Sequence, residues 1–165
     1  MNELAPWDTW EWDVPPGTTA ETLAEQAERE TTVMLAAARS LPLDVLERPG
    51  AFDKWSGRDV VAHCVAWAEI CCRILGQLAD GSIDLHEYRE LPVGDETGDA
   101  LNERQVEELR SVPIAELFAR LDDAGRGVAG ALRGSDVDPP AELVLLTVGD
   151  HLAEHAKDLR GLLDD

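Results

Sequence analysis

His151 and His155 stand four residues apart in a run whose apolar positions recur with helical spacing. The stripe reads Val144, Val148, His151, His155, Leu159 and Leu162, in steps of 4, 3, 4, 4 and 3. Two histidines therefore replace hydrophobes at successive positions of one face. Helical residues four apart carry Cβ atoms about 5–6 Å from each other. Two imidazoles so placed can converge on one ion at about 2.0–2.1 Å per bond. His63 occupies a similar position in an earlier stripe, Val60, His63, Trp67, Ile70, Ile74 and Leu78. From a facing helix it could supply a third ligand. Three neutral imidazoles with an open fourth position are the usual form of a catalytic zinc site.

The plainer reading is that each ring is hydrogen-bonded within a core. A buried imidazole needs partners for both nitrogens, and little else on these stripes is polar enough to satisfy three rings. A shared ion would settle half of that demand. On the residues alone both readings stand. Three imidazoles suit zinc, nickel, iron or copper alike; zinc is the first expectation, with nickel or iron as alternatives.

Other residues fall around this set. Asp59 lies one turn before His63 and could orient a ligand imidazole. Asp150 and Glu154 flank the histidine stripe, as proton acceptors or as a solvated face. Trp67 could wall a site or fill the core; Asn102 could line a pocket mouth or cap a helix. Cys64 follows His63 directly, but adjacent helical residues point about 100° apart, so it reads as a small core hydrophobe. Cys71 and Cys72 read equally as packing, and His86 as a surface histidine.

The elements that must position these residues are helical. A first helix is expected from Thr18, with Glu21 completing a capping box, to about Ser40 before Pro42. Its apolar positions are Leu23, Ala27, Thr31, Met34, Ala38 and Leu41. Residues 41–55 read as a linker. Ser56, with Asp59 three residues on, caps a second helix that runs to Ala79 and ends at Asp80-Gly81. Residues 81–100 look irregular. A short helix is expected over 101–111 and another from Pro113 to Arg133, weakened by Gly125, Gly127 and Gly130. One last helix is expected over 141–163. No window alternates with period two over a strand's length. The expected fold is all-α: a four-helix bundle with an extra short helix, over residues 18–165, preceded by an extended arm, residues 1–17, that holds Trp7, Trp10 and Trp12.

Composition bounds the function. The 165 residues suit one domain. Lys and Arg total 14 against 34 Asp and Glu, a net charge of −20, which repels phosphate backbones and anionic membranes. No nucleic-acid or membrane partner is expected, and no run is apolar enough to span a bilayer. Met1–Trp12 has neither a basic residue nor an apolar run, so no secretory leader is expected. The three cysteines crowd into residues 64–72, which argues for a reducing compartment, hence the cytoplasm. Arg outnumbers Lys by 12 to 2, without a reading in function.

The segment Trp55-Ser56-Gly57-Arg58-Asp59-Val60-Val61-Ala62-His63, with Trp67 and Glu69 following, resembles the W-S-x-x-D-x-x-x-H segment of the DinB-like superfamily. The segment Gly149–Leu159 resembles that superfamily's last helix, with its H-x-x-x-H pair, and the region opened by Asn102 is similar to its middle. The nearest flavour is the N-terminal domain of mycothiol-dependent maleylpyruvate isomerase and its relatives. The resemblance implies a bundle with a divalent metal on His63, His151 and His155, a low-molecular-weight thiol as possible cofactor, a small-molecule substrate and a homodimer. Two functions follow: a metal-dependent enzyme using a mycothiol-like thiol for S-transfer to, or isomerisation of, a small electrophile, or a non-catalytic metal-binding or ligand-sequestering bundle.

Overall fold

Pro16 and Gly17 form the turn that admits the chain to its first helix, with Thr18 N–H bonded to the Pro15 carbonyl at 3.2 Å. The computed structural model describes residues 14–89 and 98–163. Trp7, Trp10 and Trp12 of the expected arm lie outside the described residues, as do positions 90–97 of the long connection.

Helix α1 spans Ala20–Ser40. Its cap is Thr19, not Thr18, and the reciprocal partner is Thr22, not Glu21. The reason is local: the Thr18 hydroxyl is spent on the Pro15 carbonyl, at 2.6 Å. All six apolar positions expected on the inner face of α1 are buried. The expected linker contains a single helical turn, α2 (Leu43–Leu46), and then a two-residue hairpin in which Phe52 and Trp55 exchange both backbone bonds. Asp53 takes the left-handed conformation there, φ 58°.

Helix α3 (Gly57–Asp80) starts at the expected Ser56–Asp59 capping box and ends at Gly81 in the left-handed region. A short α4 (Leu85–Arg89) and α5 (Gly98–Glu108) follow; α5 begins and ends three residues before the expected span. Helix α6 is Ile114–Gly134, behind Pro113. The expected last helix is two: α7 (Ala141–Thr147) and α8 (Asp150–Gly161), separated at Val148–Gly149.

The described residues are thus all-α, with no strand beyond the Phe52–Trp55 bridge. No helix among them is long and apolar enough to cross a membrane. Helix α6 packs on both α1 and α3; α1 also meets α8, and α3 meets α5 and α7. The glycines that weaken α6 as a helix allow this approach. A Cβ on Gly125 would collide with the Thr31 side chain of α1, and one on Gly127 with Cys72 of α3. Gly125→Ala should therefore destabilise the chain by about 1–3 kcal/mol, although alanine is the better helix former. Urea denaturation measures this, and an unchanged midpoint would contradict the packing account.

The arginine surplus gains a partial physical reading. Arg120 presents its guanidinium fork to both Glu69 oxygens at 2.7 Å, joining α6 to α3. Arg133 does the same toward Glu21 and Glu28 of α1. Lysine cannot make such planar, two-pronged contacts.

Candidate metal centre

The capping box at Ser56 fixes the start of α3, and His63 projects from its second turn into the core, only 5% exposed. Helix α8 brings His151 in its first turn and His155 one turn later. The three rings meet at near-perpendicular angles, with centroids 4.6–5.3 Å apart. They converge by their Nε2 atoms. His151 Nε2 is 3.0 Å from His63 Nε2 and 3.2 Å from His155 Nε2. Nitrogens on a tetrahedral ion at 2.0–2.1 Å would be about 3.3 Å apart.

The outer nitrogens decide the protons. His151 Nδ1 faces the Thr147 carbonyl at 3.2 Å. A carbonyl only accepts, so Nδ1 carries the proton and Nε2 keeps its lone pair. His155 Nδ1 lies 3.3 Å from Asp158 Oδ2, and the same reasoning leaves its Nε2 a bare acceptor. Two lone pairs thus face each other at 3.2 Å, a repulsive contact unless a cation lies between them.

A proton does not fill that place near neutrality. Burial pulls His63 down to about 2, and the neighbouring His151 and His155 add to the effect. Burial, with His155 beside it, takes His151 to about 4 against the opposing pull of the Thr147 carbonyl. His155 is also lowered, chiefly by burial, although Asp158 works the other way. The donor set, three uncharged imidazoles with converging Nε2 atoms, two of them held with the lone pair inward, fits a divalent metal ion.

Residues 27–165 match the mycothiol maleylpyruvate isomerase N-terminal domain family. The chain belongs to this family. It is a DinB-like family, associated with metal and mycothiol. The matched span holds every histidine of the triad. No curated protein and no solved structure matches the chain.

Within this DinB-like domain the other expected site residues have the following places. Asp59 does not orient a ligand ring. Its Oδ2 accepts from the Ser56 backbone N–H and hydroxyl, both at 2.9 Å, closing the α3 cap, and His63 Nδ1 remains buried without a partner. Trp67 Nε1–H donates to Asn102 Oδ1 at 2.9 Å, so both polar groups serve the contact between α3 and α5. Glu154 is exposed beside His155. Gln26 of α1 donates to Asp150 at 2.8 Å. Cys64 and Cys71 are fully buried, which pushes the Cys71 thiol up to about 12 and Cys64 higher still. Cys72 is half-buried and also raised, mainly by burial.

Three neighbours of the centre carry no role in the sequence reading. Trp55 lies against the His63 ring, centroids 5.1 Å apart, delivered there by the Phe52–Trp55 hairpin. Asp158 is three residues after His155, a spacing that puts both on one helix face and could have been read. The Thr147 carbonyl could not, because it faces His151 only where the helix breaks.

Proposed function

We propose that this domain is a metal-dependent enzyme, built as a DinB-like four-helix bundle from α1, α3, α6 and the α7–α8 pair. It would use a low-molecular-weight, mycothiol-like thiol for S-transfer to, or isomerisation of, a small electrophile. The observation that carries this reading is the gathering of three Nε2 atoms between α3 and α8, with that of His151 3.0 Å from that of His63 and 3.2 Å from that of His155. A divalent ion at that point supplies a positive charge that favours thiolate over thiol at neutral pH.

The chain's own residues supply the setting. The three imidazoles are neutral and leave the ion's charge uncompensated. Thr147 and Asp158 hold two rings in the tautomer that presents Nε2. Trp55 covers the His63 ring. The His155 side chain, 22% exposed, is the solvent side of the centre, where a thiol and an electrophile would arrive past Glu154 and Asp158. Zinc is the first candidate, with nickel or iron next. The proposal includes a small-molecule substrate and, from the family resemblance, a homodimer, which sedimentation equilibrium tests.

Elemental analysis of untagged protein, followed by thiol-consumption assays against a panel of small electrophiles that includes maleylpyruvate, tests the whole. A stoichiometric ion and metal-dependent thiol consumption are expected. A stoichiometric ion without turnover on any pair would establish instead the non-catalytic metal-binding or ligand-sequestering role. Folded protein that takes up neither zinc nor nickel on titration would overturn both.

A further inference from the structure

The expected last helix would have run without interruption through Val148 and Gly149. In an unbroken helix the His151 backbone N–H would bond the Thr147 carbonyl. The observed chain leaves the helix instead. Val148, at φ −130° and ψ −36°, and Gly149, at φ −71° and ψ −103°, both direct their N–H groups to the Val144 carbonyl, at 2.9 and 2.8 Å. Helix α8 restarts with Ala153 N–H on the Gly149 carbonyl, at 3.3 Å. The Thr147 carbonyl faces the His151 ring, while the Thr147 hydroxyl stays bonded to Leu143 in α7 at 2.6 Å.

We infer that the break at Val148–Gly149 is a positioning device for His151, with Gly149 and Gln26 as its positioning residues. The inference rests on the metal reading above. A neutral imidazole with its proton on Nε2 has no lone pair there to offer an ion. The freed carbonyl draws the proton to Nδ1 and so readies Nε2 before any ion arrives.

Packing holds the break in place. Gly149 is buried, and a Cβ there would lie 3.1 Å from Leu145 Cα and 3.1 Å from Gln26 Nε2. Glycine therefore lets α1 close on the junction. Gln26 Nε2–H then donates to Asp150 Oδ1 at 2.8 Å, tying the first residue of α8 to α1. Neither residue reaches the centre, and both act through the carbonyl that the break releases.

The test uses the full chain, stripped of metal, as wild type, Gly149→Ala and Gln26→Ala. Long-range proton–nitrogen NMR reports the histidine tautomers, and competition with a chromophoric chelator reports zinc affinity. Wild-type His151 should carry its proton on Nδ1 before zinc is added. Gly149→Ala should shift the ring toward the Nε2–H form and weaken zinc binding about tenfold or more, the range for loss of an outer partner. Gln26→Ala should move both readouts the same way by less. A folded Gly149→Ala chain with wild-type tautomer and wild-type affinity overturns the inference. If that variant does not fold, unchanged tautomer and affinity in Gln26→Ala overturn it. A wild-type chain with the Nδ1–H tautomer but no zinc affinity overturns the metal reading while upholding the role of the break.

Discussion

Replacing His151 by alanine is expected to abolish stoichiometric metal content and weaken zinc binding roughly hundredfold or more. Structural zinc sites are worth about 10–16 kcal/mol over four ligands, so one ligand carries roughly 3 kcal/mol. His151 is the central member: its Nε2 lies 3.0 Å from that of His63 and 3.2 Å from that of His155. His63→Ala should do comparable damage, because that ring is the most deeply buried ligand. His155→Ala should do least, because its side chain is partly solvated. The metal-free fold should lose less than the metal-bound one from His151→Ala, since removing that ring relieves the lone-pair contact with His155 while giving up its packing and its contact with His63. Elemental analysis and chelator competition measure the first effect, urea denaturation without metal the second. A His151→Ala chain that retains the wild-type ion would remove the centre from between α3 and α8.

The second large effect is acid sensitivity of the metal-free chain. Unfolded histidines titrate near 6.5, whereas folded His151 titrates at about 4 and His63 at about 2. Between pH 6.5 and about 4 the unfolded chain binds protons that the folded chain refuses, so stability falls as the pH falls. Each such group costs about 1.4 kcal/mol per pH unit in that window. Urea denaturation at pH 7.0 and 5.5 should therefore differ by about 2–3 kcal/mol for the two rings together. His151→Ala should remove about half of this difference, and a saturating divalent ion should move the loss to lower pH, because the ion requires neutral imidazoles. Equal stability at the two pH values would show that the rings are solvated.

Much of this was legible in the sequence. The Ser56–Asp59 cap, the buried face of α1 and the histidine stripes follow from periodicity and capping chemistry, which are local. The break at Val148–Gly149 was not legible, because nothing in Leu146-Thr147-Val148-Gly149-Asp150 forbids helix. The break is packed against Gln26, which bonds Asp150 across 124 residues of chain. Asp59 misled for a local reason: its distance from His63 suits a ring partner, but the Ser56 cap, also legible in the sequence, claims its carboxylate first. Trp55 became a neighbour of His63 through a hairpin turn with a left-handed Asp53, a conformation that the composition of that stretch does not announce.

The three cysteines have one more consequence. Cys64 and Cys71 are sealed in the core, and burial raises all three thiols. At neutral pH the chain therefore offers almost no thiolate of its own. A protein that brings electrophiles to an activated sulfur risks being alkylated by its own substrate. Were this chain to act as proposed, the sulfur ready to react would be the one that arrives with the small-molecule thiol and leaves with the product, and the protein would outlast its electrophiles.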